Sequence, residues 1–142
     1  MLKRFLSAPS YSTSADVALF LLRLVVGGAF IWHGAGKIQN PFGWMGPHAF
    51  APAPFQALAA LAEFGGGLLL VFGFLTRLGA IGIAAVMAVA IMMHAVMLRD
   101  PFISDTGRSS WEQAATYFAV MVLLKAIGPG YVSVDHHWFG EK

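Results

Sequence analysis

The stretch LGAIGIAAVMAVAIMMHAVML, which runs from Leu78 to Leu98, is the most uniformly apolar part of this chain and contains no Asp, Glu, Lys or Arg. A helix needs about 20 predominantly apolar residues to cross the roughly 30 Å of hydrocarbon in a bilayer. The stretch has that length. We therefore predict that it forms a transmembrane helix.

Three further apolar stretches accompany it, at about residues 17–36, 54–74 and 111–127. Together the four stretches predict an all-α integral membrane protein, a four-transmembrane-helix bundle that forms a single domain over residues 1–142. The connection KIQNPFGWMGPHAFAPA, from Lys37 to Ala53, predicts a long loop between helices 1 and 2 because its Gly and Pro residues break helices. The short connection Phe74 to Arg77 predicts an antiparallel hairpin of the second and third spans.

The composition excludes several classes of protein. Hydrophobic residues make up 58% of the chain and charged residues 11%, whereas a soluble domain carries roughly 25% charged residues. A soluble enzyme, a disordered region and a collagen-like fibre are therefore excluded. The nine Lys and Arg residues are scattered singly, so no basic patch for nucleic acid is expected. The chain has no cysteine, which excludes disulfides and thiolate metal sites.

Basic residues near the ends of the spans predict the orientation, because cytoplasmic loops are enriched in Lys and Arg. With the amino terminus in the cytoplasm, that side carries Lys3, Arg4, Arg77, Lys125 and Lys142, and the opposite side carries Lys37, Arg99 and Arg108. We expect a multi-pass protein of the cell inner membrane, with a cytoplasmic amino-terminal tail and both termini cytoplasmic.

Ionisable residues inside the spans are the candidate site, because each costs about 2.5 to 3.5 kcal/mol to insert into hydrocarbon. A rise of about 1.5 Å per residue places Arg23 and Glu63 within reach of each other, so we expect an ion pair between them. The same estimate places His33 and His94 at one level near the outer surface. The candidate polar cluster or quinone-binding site is Arg23, His33, Lys37, Glu63, His94 and Glu112.

Each of these residues also has a structural interpretation. Arg23 and Glu63 could form a pair that only fixes helix packing. His33 and His94 could be interfacial residues that bond loop carbonyls, or they could carry protons or bind a metal or haem. Two histidines on different spans are too few to predict a metal or haem site.

Four pieces of the chain resemble the DoxX family of small membrane proteins. The pieces are LLRLVVGGAFIWHGAGKI (Leu21 to Ile38), LAEFGGGLLLVFGFLTRLGA (Leu61 to Ala80), AVAIMMHAV (Ala88 to Val96) and GPGYVSVD (Gly128 to Asp135). The resemblance implies a four-helix membrane bundle that takes part in oxidoreductase systems, since some relatives resemble the small subunit of a thiosulfate to quinone oxidoreductase. The family's polar positions fall here on Arg23, His33, Gly34, Lys37, Glu63, Thr76, Arg77 and Asp135.

The leading hypothesis from the sequence is an inner-membrane subunit of an oxidoreductase system that binds a quinone at the polar cluster. Its partners would be the lipid bilayer, other membrane or redox chains and a second copy of itself, because small residues allow close helix contact. The alternatives are a non-catalytic scaffold or assembly factor, in which the cluster only locks the bundle, and a small-molecule carrier.

Overall fold

The computed structural model describes residue 9 and residues 11–140, and this part of the chain is helical with no strand. Its helices are α1 (Thr13–Gln39), α2 (Ala53–Phe72), α3 (Thr76–Met92), α4 (Glu112–Ile127) and the short α5 (Val134–Phe139). A π-helical turn, Met93–Met97, continues α3. The prediction of an all-α protein is confirmed. Lys3, Arg4, Lys142 and most of the expected cytoplasmic tail lie outside the described residues.

Three helices are long and apolar enough to cross a membrane: α1, α2, and α3 together with its π-helical turn. They coincide with the stretches predicted at about 17–36, 54–74 and 78–98. The helix α4 falls in the fourth predicted stretch but has 16 residues, which corresponds to about 24 Å. That length is less than the thickness of the hydrocarbon, so the fourth span stays a prediction. Between α1 and α2, residues 40–52 form turns and bends.

The outer surfaces of these helices are apolar. Within the most apolar windows of the three long helices, only 33%, 33% and 17% of residues are buried inside the protein. Large side chains such as Val25, 71% exposed, and Trp32, 84% exposed, point away from the bundle. A soluble monomer rarely exposes contiguous apolar surface of this extent. The bilayer is the environment that covers it.

Glycines allow the backbones of α1 and α2 to touch. A methyl group placed on Gly27 would lie 2.8 Å from the carbonyl oxygen of Gly67, and one placed on Gly67 would lie 2.8 Å from the carbonyl oxygen of Gly27. Small residues at such crossings are typical of membrane helix pairs. The two antiparallel helices are therefore held at backbone contact, which fixes how their side chains meet.

The carboxyl-terminal segment fastens the turn between α2 and α3. Gly73 ends α2 in the left-handed region, with φ 64°, and Leu75 precedes α3 with φ 46°. The carboxylate of Asp135 accepts hydrogen bonds from the backbone N–H groups of Leu75 and Thr76, at 2.7 and 2.9 Å. These bonds satisfy amide groups that the start of a helix leaves without intrahelical partners. The aspartate thus stabilises a turn that a non-glycine residue otherwise adopts at a cost.

The apolar core lies mainly in the half of the bundle nearer to this turn. Its largest fully buried apolar side chains are Phe30, Leu70, Ile83, Met121 and Leu124. Towards the other end, where the loop of residues 40–52 lies, the helices border an open cavity. We call the end of the bundle that contains the turn between α2 and α3 the solid end, and the end that contains the loop 40–52 the hollow end.

Candidate functional site

An ion pair joins the carboxyl-terminal end of α1 to the middle of α2. The ammonium Nζ of Lys37 lies 2.6 Å from both Oε1 and Oε2 of Glu63. The Glu63 side chain is 3% exposed and that of Lys37 is 25% exposed. Lys37 Nζ also lies 4.5 Å from the ring centroid of Trp44, which is close enough for a cation–π interaction. The pair therefore has one buried member and one member near the surface of the bundle.

The predicted ion pair between Arg23 and Glu63 is wrong, and the direction of helical side chains explains why. Each Cα–Cβ bond in a helix tilts towards the amino terminus of that helix. On α1 this tilt directs Arg23 away from Glu63 and directs Lys37 towards it. On the antiparallel α2 the tilt directs Glu63 towards Lys37. The depth of a residue along its helix does not show in which direction its side chain points.

Arg23 lies at the solid end of the bundle. It is fully buried, its guanidinium donates a hydrogen bond to the carbonyl oxygen of Val132, and it lies directly against Gly73. Among the described residues, its Nε and Nη1 atoms have no hydrogen-bond partner. Arg23 therefore ties α1 to the carboxyl-terminal segment and takes no part in the cavity at the other end.

The cavity has a volume of about 870 Å³ and is lined by residues from all four longer helices and from the loop 40–52. Four of the six candidate residues contribute to its wall: His33, Lys37, Glu63 and His94. Most of the remaining wall is apolar or aromatic, with Trp44, Phe50, Val86, Met93 and Tyr117 among its residues. The sequence-based cluster is thus divided, with four members at the cavity and Arg23 at the opposite end.

Glu112 is exposed at the start of α4 and does not line the cavity. Its backbone N–H donates to the carbonyl oxygen of Phe102. The neighbouring Gln113 lines the cavity instead. A shift of one position around a helix turns a side chain by about 100°, since a turn takes 3.6 residues. The sequence placed Glu112 in the candidate cluster, but it did not show which face of the helix the side chain occupies.

His94 is held by a residue that sequence reasoning missed. Its Nδ1 lies 2.7 Å from Oδ2 of Asp100, and the backbone N–H of Asp100 donates to the carbonyl oxygen of His94 at 2.8 Å. His94 stands in the π-helical turn that ends α3, and such turns are frequent at functional sites. The sequence does contain one indication of this contact, because Asp100 places a carboxylate at the start of the polar loop, six residues after His94.

Gln56 holds the loop 40–52 beside the cavity, a role that sequence reasoning missed. Its side chain accepts a hydrogen bond from the N–H of Met45 at 3.1 Å and donates one to the carbonyl oxygen of Ala51 at 2.9 Å. Its own carbonyl oxygen accepts from Nε1 of Trp44 at 3.0 Å. Trp44, expected as an aromatic anchor at the membrane surface, is therefore part of the cavity wall.

Comparison with known proteins identifies the family of this chain. The DoxX family profile matches residues 18–95, which include most of α1 and all of α2 and α3. The chain belongs to the DoxX family. It is also similar to the inner membrane protein YqjF of Escherichia coli (strain K12), with 30% identity over 125 residues that cover 84% of this chain and 91% of that protein. No solved structure matches.

The DoxX positions of this chain fall into two groups in the structure. His33, Lys37 and Glu63 line the cavity. Arg23 and Asp135 fasten the turn between α2 and α3 at the other end of the bundle. The first group faces a space of ligand size, whereas the second group makes contacts that hold helices together.

Proposed function

We propose that this DoxX protein is an inner-membrane subunit of an oxidoreductase system and that its cavity binds the head group of a quinone. The observation that carries the proposal is the cavity of about 870 Å³ with His33, Lys37, Glu63 and His94 in its wall. Small-molecule pockets have volumes of roughly 300 to 1,000 Å³ and combine apolar walls with a few polar groups. Arg23 and Glu112 are not part of the proposed site.

The chemistry of the wall suits a quinone. The ring is flat and apolar, and the aromatic side chains of Trp44 and Tyr117 offer surfaces against which it can pack. The oxygens on the ring need hydrogen-bond partners. The Lys37 ammonium can donate to them, and the imidazoles of His33 and His94 offer ring nitrogens that donate or accept, depending on the tautomer. Reduction or oxidation of the ring moves protons as well as electrons, and imidazole and carboxyl groups carry protons.

The orientation and the fourth span are part of the proposal. The start of α3 and the end of α4 lie together, because Arg77 donates to the carbonyl oxygens of Lys125 and Ile127. At the other end, His94 and Gln113 line one cavity. We infer that α4 crosses the same membrane depth as α3. With both termini cytoplasmic, the cavity lies near the outer face of the membrane.

The test is quinone binding by protein purified in mild detergent. The organic extract of the protein is analysed for retained quinone, and a short-tailed benzoquinone and its hydroquinone are titrated by calorimetry. We expect Glu63→Gln, which removes the carboxylate that holds the Lys37 ammonium, to weaken binding of both forms, and His94→Ala to weaken binding of the hydroquinone. The loss of one hydrogen bond, about 1 kcal/mol, corresponds to a weakening of several-fold to tenfold. Glu112→Gln is the matched control, because it changes the same carboxylate outside the cavity. Unchanged binding in both cavity variants would show that the site is wrong.

A scaffold or assembly factor is the second candidate, and the buried contacts of Arg23 and Asp135 at the solid end favour it. In that case the polar residues only hold the bundle together. The purified protein would then contain no quinone and bind none, Glu63→Ala would lower its thermal stability, and a second membrane chain would co-purify. Quinone binding that depends on the cavity residues distinguishes the first candidate from the second.

A further inference from the structure

One of the two ring nitrogens of His94 has a hydrogen-bond partner within the protein. Asp100 engages Nδ1 through Oδ2 at 2.7 Å, and a second bond, from the N–H of Asp100 to the carbonyl oxygen of His94, fixes the two residues relative to each other. His94 also forms part of the cavity wall. The described residues give its Nε2 no hydrogen bond. Nε2 is therefore the ring nitrogen that remains for a ligand.

The partner on Nδ1 decides which kind of hydrogen bond Nε2 makes. An ionised carboxylate only accepts hydrogen bonds, so the imidazole proton resides on Nδ1. In the neutral ring, Nε2 then carries a lone pair and accepts a hydrogen bond. A ligand that bonds to Nε2 of His94 must therefore donate a hydrogen bond.

The two redox forms of a quinone differ in this property. A quinone has two carbonyl oxygens, which only accept, whereas the corresponding hydroquinone has two hydroxyl groups, which donate and accept. The Lys37 ammonium donates to the oxygen of either form, so it does not distinguish them. The carboxylate of Glu63 is already engaged by Lys37 at both oxygens. His33, Gln113 and Tyr117 also line the cavity, but each can donate as well as accept and so fits either form. Unlike these three side chains, His94 has a hydrogen-bonding role that is fixed by a partner.

We propose that Asp100 is a positioning residue that fixes the tautomer of His94, and that the cavity consequently prefers the hydroquinone to the quinone. This inference rests on the proposed function and names the redox form that the site selects. Asp100 acts only through His94 and lies in the polar loop that follows α3, away from the ligand.

The experiment compares both redox forms on wild type, Asp100→Asn and Asp105→Asn. Asparagine can donate its amide N–H to Nδ1, which moves the imidazole proton to Nε2. The same replacement in the Ser-His-Asp triad of a serine protease yields the wrong tautomer. Asp105→Asn is the matched control, because it removes the same charge from an exposed residue of the same loop. Binding is measured anaerobically by calorimetry, in buffer alkaline enough to keep imidazole neutral.

We expect wild type and Asp105→Asn to bind the hydroquinone about tenfold more tightly than the quinone, which is the value of one hydrogen bond. Asp100→Asn should reverse that order. A variant that had merely lost structure would weaken both forms and leave their ratio unchanged. An unchanged ratio in an Asp100→Asn variant that binds the two forms as tightly as wild type would overturn the inference and leave quinone binding intact. Failure of both forms to bind wild type would overturn the proposed function and this inference with it.

A second measurement reports the tautomer without any ligand. Nitrogen NMR of protein labelled at histidine distinguishes a protonated from an unprotonated ring nitrogen, and His94→Gln identifies the signals of His94 by their loss. We expect a protonated Nδ1 in wild type and a protonated Nε2 in Asp100→Asn. A protonated Nε2 in neutral wild type would refute the assignment, whatever the binding data show.

Discussion

The ion pair between Lys37 and Glu63 can be tested by removing one partner at a time. We expect Lys37→Met to lower the free energy of unfolding much more than Glu63→Gln does. Lys37 is the cation that the described structure places against Glu63, whose side chain is 3% exposed. Lys37→Met leaves that carboxylate buried without its partner, and breaking a buried pair in this way costs about 3 to 5 kcal/mol. Glu63→Gln instead leaves an ammonium that is 25% exposed and still lies over Trp44. We expect the second change to cost about 1 to 2 kcal/mol, close to the loss of hydrogen bonds alone.

The assay is unfolding of the protein in mixed detergent micelles, followed by helical circular dichroism as the denaturing detergent increases. The double variant Lys37→Met with Glu63→Leu serves as the control, because an apolar pair of similar volume is often neutral or stabilising compared with a buried ion pair. We expect its free energy of unfolding to lie closer to wild type than that of Lys37→Met. Equal losses in the two single variants, or a larger loss in Glu63→Gln, would refute the reasoning from burial.

Three further predictions concern the backbone and the loop. Gly73→Ala should lower the free energy of unfolding by more than about 2 kcal/mol, because the alanine would have to adopt a left-handed backbone and its methyl group would also collide with the Arg23 guanidinium. Gly107→Ala is the matched control. Its φ is 71° and its surroundings are open, so it should cost only about 1 kcal/mol of backbone strain. Gly67→Ala should destabilise the protein, because its methyl group would collide with the backbone of α1. Gly65→Ala should be nearly neutral, since its methyl group would have an ordinary contact at 3.5 Å. The same detergent titration measures the stability of all four glycine variants. Gln56→Ala should speed amide hydrogen exchange in the connecting loop, and unchanged exchange would show that its side-chain bonds do not hold the loop.

Hydropathy located the helices because the bilayer imposes a length and an apolar surface on every span. The sequence also indicated which ionisable residues matter, since few reasons exist to keep a charge such as Glu63 in an apolar helix. It did not show which charges meet. Arg23 and Lys37 are on the same helix, and the depth estimate chose the wrong one because it ignored the tilt of helical side chains.

The other omissions have a different physical origin. Asp100 and Gln56 act through a few hydrogen bonds from a loop and from the start of a helix. Such contacts leave no periodic pattern in a sequence. The role of Asp135 is similar, because it caps a turn that is distant along the chain and close in space. Resemblance to the family marked Asp135 as a polar position, but only the fold shows that it serves the solid end.

The separation of the two polar groups argues that they serve different purposes. At the solid end, a methyl group on Gly73 has no room beside Arg23, and Arg23 and Asp135 make contacts that hold the carboxyl-terminal segment to the helices. At the hollow end, Lys37 and Glu63 line an open cavity. Packing alone gives no reason to place ionisable groups around such a cavity, because each of them is costly in an apolar helix. The polar wall of the cavity is therefore the part of the bundle at which the proposed ligand-binding function and the scaffold alternative make different predictions.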